Sequence, residues 1–109
     1  MESRWTLMSS PDRSRKLVLS PKARQDFIDI LRYTGETWGQ GQLHTYRDKI
    51  NDALQLIGRN PAMGHRSPEL PDTHRLYLVG SHVIVYRDQE TSVAVVRILH
   101  QRMSLARHV

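Results

Sequence analysis

The sequence has no cysteine among its 109 residues. This absence excludes disulfide bonds and any zinc site built on thiolates, and it is typical of a cytoplasmic protein. Long apolar segments are absent as well, because no run approaches the ~18 residues that cross a membrane. The first residues also lack the continuous apolar stretch of a signal peptide. We therefore expect a cytoplasmic protein with no membrane partner.

The sequence motifs of common enzymes are missing too. There is no G-x-S-x-G sequence to present a serine nucleophile, and the "GQG" at 39–41 is too short for a phosphate-binding loop. The six histidines are scattered, without the spacing of a metal site. We therefore expect neither a cofactor nor a metal ion.

Positive charge is what the sequence has in excess. Lys and Arg number 16 against 11 Asp and Glu, which gives a net charge of +5. Such a balance suits an acidic partner, either nucleic acid or an acidic protein, although a soluble protein with neither can carry the same slight excess. A chain of this length predicts one domain. Residues 1–14 are polar and aperiodic, so we interpret them as a loose leader before a domain at 15–109.

The first half of that domain shows one strand pattern and two helix patterns. Lys16 to Leu19 alternates and predicts a short strand, after which Ser20 suits a helix N-cap and Pro21 the first helical position. Two apolar stripes at helical spacing follow, with a break at Gly39 and Gly41, and a link this short predicts an antiparallel helical hairpin. The stripes comprise Ala23, Phe27, Ile30, Leu31, Thr34 and Trp38, and then Leu43, Tyr46, Ile50, Ala53, Leu54 and Ile57.

The second half predicts a loop and three strands. Prolines and Gly64 in "NPAMGHRSPELPD" disfavour regular structure. The strings "HRLYLV", "HVIVYR" and "SVAVVRIL" then read as strands, with Gly80-Ser81 as a type II′ turn between the first two. Sequential strands on short turns usually pair as a meander, and the last string is apolar on both faces, as in a covered central strand.

These patterns together predict an α+β fold in the order β-α-α-β-β-β. It consists of an N-terminal strand, an antiparallel helical hairpin and a three-stranded antiparallel meander. We expect the hairpin to cover one face of an antiparallel sheet, since neither helix can bury its stripe on the other alone. The order of the strands in the sheet does not follow from the pattern. The expected core residues are Leu17, Leu19, Phe27, Ile30, Leu31, Ile50, Leu54, Ile57, Val85, Val95 and Ile98.

The chain ends in "VVRILHQRMSLARHV", which begins as a buried strand and finishes as a basic tail. A nuclease without metal would need its Arg, His and Tyr side chains to converge on a phosphate. Strand parity places Tyr86 and Arg87 on opposite faces of the sheet, so the pattern does not require these side chains to meet at one phosphate. Tyr77 and Tyr86 are the candidates for stacking on RNA, because Phe27 and Trp38 belong to the helix stripe.

We interpret the cationic groups of the last strands as a candidate partner-binding surface. For Arg97 the alternative is a pair with a carboxylate within the fold. The candidate residues are Arg75, Tyr86, Arg87, Arg97, His100, Arg102 and Arg107.

Several strings in this order resemble the ParE branch of the RelE/ParE superfamily, the toxins of bacterial type II toxin–antitoxin pairs. They are "LSPKARQDFIDILRYTGETWG", "NPAMGHRSPEL", "RLYLVGSHVIVYR" and "VVRILHQRM", which cover about Leu17 to His108. The resemblance implies a RelE/ParE-like fold and a hetero-oligomer with a ParD-like antitoxin, whose acidic, helical C-terminal segment neutralises the toxin. It also implies that the protein poisons DNA gyrase without chemistry of its own.

The resemblance leaves one alternative and shows one departure. RelE-like relatives are ribosome-dependent mRNA endoribonucleases that usually carry a late tyrosine, whereas this chain has none after Tyr86, which favours gyrase as the target. An acidic residue commonly follows "HQRM" in ParE-like sequences, but here Ser104 stands there. If that acid anchors the tail, the tail of this chain is expected to be looser.

Overall fold

A computed structural model describes residues 15–109, and the expected leader at 1–14 lies outside the described residues. The predicted α+β order is confirmed. A short 3-10 helix at Pro61–Met63 and a one-turn helix near the C-terminus are additions that the sequence pattern did not indicate. The elements are β1 Lys16–Leu19, α1 Pro21–Trp38, α2 Gln40–Arg59, β2 His74–Val79, β3 His82–Asp88, β4 Ser92–His100 and α3 Leu105–His108.

The helical hairpin begins and turns where local chemistry directs it. The Ser20 hydroxyl accepts the Ala23 N–H at 3.0 Å and donates to the Val96 carbonyl at 2.8 Å, so one side chain caps α1 and ties it to β4. Gly39 alone separates the helices, with a φ of 95° that a residue with a side chain rarely adopts. The predicted second break at Gly41 is wrong, because Gly41 lies within α2.

The sheet is mixed, in the order β1-β4-β3-β2. Strands β2, β3 and β4 form the predicted antiparallel meander, with a bulge between Val85 and Tyr86. Strand β1 runs parallel to β4, with Leu19 beside Val95, so the expectation of a wholly antiparallel sheet is wrong. The helical hairpin and two strands separate β1 from β4, so no short turn imposes an antiparallel pairing on them.

The turn between β2 and β3 agrees with its prediction. Gly80 has a φ of 58°, and no non-glycine residue within 15–109 has a positive φ. A type I′ turn would need a positive φ at Ser81 as well, so the turn is type II′.

Most of the expected core is buried between the hairpin and the sheet. Leu17, Leu19, Phe27 and Leu31 are only half-buried, and Trp38 contradicts its place on the apolar stripe because it is 69% exposed. Strand β4 is central, as predicted; Val93, Val95 and Ile98 are buried in the cluster with the hairpin and Leu99 on the opposite face, while its other residues are half-buried. The fully buried members of the main cluster include Ile50, Ile57, Ile84, Tyr86, Val93, Val95 and Ile98.

The face of the sheet away from the hairpin is covered as well. Val83, Val85 and Leu99 are buried there, opposite in parity to Ile84 and Ile98. Side chains from the loop, the sheet and the C-terminal tail line a common cavity of about 190 Å³ beside them; they are Glu69, Leu76, Leu78, Val83, Gln101, Met103 and Leu105. The tail therefore borders this face of the sheet. Within 15–109, no helix is long and apolar enough to cross a membrane.

Candidate partner-binding surface

The basic tail leaves the sheet at His100 and is held where it starts. Gln101 donates its backbone N–H to the Ser81 carbonyl at 2.9 Å and its side-chain amide to the Gly80 carbonyl at 2.8 Å. The Arg102 N–H donates to Nδ1 of His100 at 3.1 Å, and the Arg102 residue itself is exposed. The tail thus begins in a defined position, with an exposed cationic side chain two residues after the strand.

Helix α3 closes the chain with a single turn. Nδ1 of His108 donates to the Ser104 carbonyl at 2.8 Å, which requires the proton on Nδ1 because a carbonyl oxygen can only accept. The Val109 N–H donates to the Leu105 carbonyl at 3.0 Å. Arg107 is exposed, so Arg102 and Arg107 both present charge to solvent as the sequence analysis expected.

Arg97 has the alternative role, within the fold. Its Nε and Nη2 donate to the two carboxylate oxygens of Asp26 at 2.8 and 2.9 Å, and its Nη1 donates to the His108 carbonyl at 3.0 Å. The side chains of Arg97 and Asp26 are only 16% and 15% exposed. The hydrogen bonds that Arg97 donates to Asp26 raise the pKa of Arg97 above its ordinary value. The structure thus shows the alternative for Arg97, a pair with a carboxylate within the fold, and its charge is largely shielded from solvent.

Tyr86 is also an internal group. It is fully buried, and its hydroxyl donates to the Pro61 carbonyl at 2.6 Å and accepts the Gly64 N–H at 2.9 Å. Burial raises the pKa of Tyr86 above its usual value. The expectation of a surface role is wrong, because β3 points this ring into the core, where it holds the start of the long loop. Tyr77 packs against the same core.

The remaining candidates divide between the loop and the surface. Arg75 is half-buried and donates through Nη1 to the Gly64 carbonyl at 3.0 Å, so it supports the loop from β2. Arg87 is exposed near the end of β3. Its charge adds to burial, the larger cause, in lowering the pKa of His74. Of the seven candidates, Arg87, Arg102 and Arg107 are exposed.

His100 belongs to a cleft that the sequence analysis did not predict. The cleft has a volume of about 340 Å³ and opens between the tip of the helical hairpin and the β2–β3 turn; we call it the tip cleft. Two of its aromatic residues are largely exposed, Tyr33 at 65% and Trp38 at 69%. Its lining residues are Tyr33, Thr34, Trp38, Gln42, Tyr46, Ser81, His82 and His100.

A hydrogen-bonded tyrosine and two histidines form the floor of the tip cleft. The Tyr46 hydroxyl lies 2.6 Å from Nδ1 of His82 and accepts the Ser81 N–H at 3.1 Å. The His82 and His100 rings meet edge to face, with centroids 5.3 Å apart. Burial raises the pKa of Tyr46, and burial followed by the charge of His100 lowers the pKa of His82. The floor therefore presents aromatic rings, among which Tyr46 and His82 favour the uncharged form, and such rings suit an apolar or aromatic side chain of a protein partner.

The structure does not bring the candidate cations together around one point. Arg97 is occupied by Asp26, Arg75 by the loop, and Tyr86 is enclosed in the core. Within residues 15–109, no group of three or more His, Asp or Glu side chains is placed to hold a metal ion. The described surface thus offers two features for a partner, the exposed cationic tail and the tip cleft, which adjoin at His100. Sequence reasoning missed the cleft because its residues come from four elements.

Comparison with known proteins gives one family. The family model described as "ParE toxin of type II toxin-antitoxin system, parDE" matches residues 17–105. Toxin ParE1 of Caulobacter vibrioides is 33% identical over 91 residues, which cover 84% of this chain and 94% of that protein. Toxin ParE1 of Mycobacterium tuberculosis is 33% identical over 97 residues, which cover 88% of this chain and 99% of that protein.

A solved structure shows the same fold. It belongs to the chromosomal ParDE TA system from P. aeruginosa and matches with a TM-score of 0.70 at 14% sequence identity. The match covers 81% of this chain and 97% of the other. The mixed sheet, the helical hairpin and their order are therefore an arrangement that this solved protein shares.

Proposed function

Because this chain belongs to the ParE toxin family of type II toxin–antitoxin systems, we propose that it inhibits DNA gyrase and is neutralised by a ParD-like antitoxin. The observation that carries the proposal is the exposed cationic tail, in which Arg102 and Arg107 face solvent. The toxin then acts by binding its target rather than by chemistry.

The tail is the surface that we assign to the target. Interface energy usually concentrates in a few residues, and Arg is enriched among them. Arg102 lies in a turn that the Met103 N–H closes on the His100 carbonyl, and Arg107 lies on α3, so both side chains extend from ordered backbone. Two cations on a held segment suit an acidic patch on a protein surface.

The tip cleft is the surface that we assign to the antitoxin. An amphipathic helix binds through a few apolar side chains that enter a groove between structural elements. The exposed rings of Tyr33 and Trp38 and the cavity beside them offer such a groove. The net charge of +5 favours an acidic partner segment over a basic one. The antitoxin thus makes a hetero-oligomer with this chain through a surface that differs from the tail.

Two assays on the intact protein test the target. We expect inhibition of gyrase supercoiling, with accumulation of cleaved DNA–gyrase complexes, and no cleavage of messenger RNA on translating ribosomes. Codon-specific cuts in translated messenger, with gyrase unaffected, would overturn the proposal in favour of the ribosome-dependent endoribonuclease.

Surface variants test the assignment of the tail. The double variant R102A/R107A removes two exposed charges and leaves unchanged Met103 and Leu105, which line the cavity over the sheet. We expect it to weaken gyrase inhibition by about tenfold or more. The variant K22A/R24A removes the same charge from exposed positions of α1 and should inhibit like the wild type. Equal losses in both variants would mean that net charge alone matters.

A third variant separates the antitoxin from the target. Trp38→Ala should weaken binding of the antitoxin encoded by the adjacent reading frame while gyrase inhibition persists, since Trp38 lies in the tip cleft and not in the tail. The variant R102A/R107A should show the reverse pattern. Loss of both activities in both variants would contradict the assignment of two surfaces.

A further inference from the structure

We propose that Arg97 is a positioning residue, which holds α3 on the body of the protein and so orients the cationic tail for toxicity. The inference rests on the proposed function of the tail. It gives a buried ion pair a role beyond folding, since one side chain of the central strand connects the first helix to the last turn of the chain.

The guanidinium of Arg97 reaches two elements at once. Nε and Nη2 make a bidentate contact with Asp26 of α1, and Nη1 donates to the carbonyl of His108, the last residue of α3. A guanidinium is planar and carries five N–H donors in a fixed fork. Because two of its donors are fixed by the carboxylate, the direction of the third is fixed as well.

The carboxylate that holds Arg97 is itself held. Oδ2 of Asp26 also accepts the backbone N–H of Ile98 at 2.9 Å. This contact lies beyond the end of β1, whose last pair with β4 is Leu19 with Val95, so the carboxylate takes the place of a neighbouring strand. Both side chains are mostly shielded from water. The anchor of α3 is therefore a rigid point of the fold.

Helix α3 needs an external contact. It has four residues, and within residues 15–109 its N-cap Ser104 makes no capping hydrogen bond through its side chain. Isolated helices shorter than about 12–15 residues are marginal in water. The Arg97 cation lies against the carbonyl end of the helix, where the helix dipole favours positive charge. At the other end of the helix, Leu105 is half-buried and lines the cavity over the sheet, so the contact with Arg97 is the hydrogen bond that ties the far end of α3 to the body.

This contact anchors the tail without an acidic residue at position 104. The sequence analysis expected a looser tail because Ser104 stands there. Arg97 holds the far end of α3 instead, through the carbonyl of His108. The exposed Arg107 is the residue directly before His108. The orientation of Arg107 thus depends on a residue that does not face solvent.

The variant Arg97→Lys tests the proposal. A lysine ammonium can pair with Asp26 but has no planar fork to reach the His108 carbonyl as well. We expect exchange of the Val109 amide hydrogen, which bonds within α3, to accelerate by about tenfold. Exchange at Ile84 in the core should keep its wild-type rate. Growth inhibition on induced expression should fall, as should gyrase inhibition, by a similar factor.

Two further variants make the test specific. Arg24→Lys is the same change at an exposed position of α1 and should leave amide exchange and growth inhibition unchanged. Asp26→Asn removes the charge that holds Arg97 but keeps an oxygen for the Ile98 N–H, so it should also free α3. Its result decides the matter if the lysine variant does not fold.

These measurements test the role of Arg97 independently of whether gyrase is the target. Wild-type exchange at Val109 in both Arg97→Lys and Asp26→Asn would overturn it, as would full growth inhibition from a protein whose α3 is free. If the wild-type protein arrests growth but leaves gyrase unaffected, the proposed target fails. The exchange and growth measurements still decide whether Arg97 positions α3.

Discussion

At the scale of single residues, the strands of this protein place polar side chains in the interior where they bind backbone groups. The Tyr86 hydroxyl is one such group, because it joins the Pro61 carbonyl and the Gly64 N–H beneath the long loop. Buried polar groups are nearly always hydrogen-bonded, and the Tyr86 hydroxyl satisfies two backbone groups as well as its own donor and acceptor. Tyr86 therefore supports the loop from inside.

Replacing Tyr86 by Phe measures that support. The change leaves a buried carbonyl and a buried N–H without the hydroxyl, which should lower the free energy of unfolding by about 1–3 kcal/mol. Urea denaturation followed by circular dichroism gives this value. Tyr33→Phe is the matched control, since Tyr33 is 65% exposed, and it should change stability by less than about 0.5 kcal/mol. Equal effects at the two positions would show that the internal hydrogen bonds are not needed.

The second residue-scale prediction concerns His82 and pH. Burial and, after it, the charge of His100 lower the pKa of His82 from its ordinary 6.5. As the pH falls below 6.5, the histidine takes up a proton more readily in the unfolded chain than in the folded one. The contribution of neutral His82 to the free energy of unfolding is therefore complete above pH 6.5, and it is lost as the pH falls through the lower pKa that His82 has in the folded protein.

We expect the free energy of unfolding to decrease as the pH falls from about 7.5 to below 6.5, and His82→Asn to make the decrease shallower. The asparagine amide can still meet the Tyr46 hydroxyl. Burial also lowers the pKa of His74, so His74 still contributes to the pH dependence of stability in this variant. Parallel stability curves for the two proteins would contradict the assignment.

At the scale of elements, the turn between β2 and β3 joins the sheet to the helical hairpin. Gly80 adopts a φ of 58°, and a Cβ at this position would lie 2.5 Å from the Tyr46 hydroxyl oxygen. The same hydroxyl accepts the Ser81 N–H, so the turn must approach α2 closely. This approach builds the floor of the tip cleft.

A pair of glycine variants tests the close approach. Gly80→Ala introduces both an unfavourable φ and a clash, and we expect it to cost about 1–3 kcal/mol of stability. Gly41→Ala adds a methyl group within α2 where nothing lies within 4 Å; it should be neutral or stabilising by up to about 1 kcal/mol. Thermal melts of both proteins give the comparison. A stable Gly80→Ala protein would mean that the turn can move away from Tyr46.

At the scale of the whole molecule, one cluster of apolar side chains joins the helices to the sheet. Leu54 is 4% exposed on α2 and belongs to this cluster with Ile50, Ile57 and strand residues. We expect Leu54→Ala to lower the free energy of unfolding by about 2–5 kcal/mol, the usual range for a leucine in a core. Leu56→Ala is the comparison, because Leu56 lies on the same helix but is 38% exposed. A loss below about 0.5 kcal/mol at Leu54 would mean that the helix stripe is not the core.

The sequence by itself determined what is encoded in adjacent residues. The start of α1 at Ser20 and Pro21, the type II′ turn at Gly80 and the meander of the last strands all depend on neighbours in the chain, so their patterns are readable locally. Even the resemblance to a toxin family rests on such local strings. Where two glycines lay close together, at 39 and 41, the pattern did not identify which one ends the helix.

Only the tertiary structure decided which distant groups meet. The parallel pairing of β1 with β4 and the contact of Arg97 with Asp26, 71 residues away, join parts of the chain that no local periodicity relates. The sequence allows Arg97 either a surface role or an internal pair, and the carboxylate that binds it comes from another element. The tip cleft has the same origin, since its residues come from both helices, a turn and the end of β4. Periodicity reports which face of an element is apolar, whereas packing decides what that face meets.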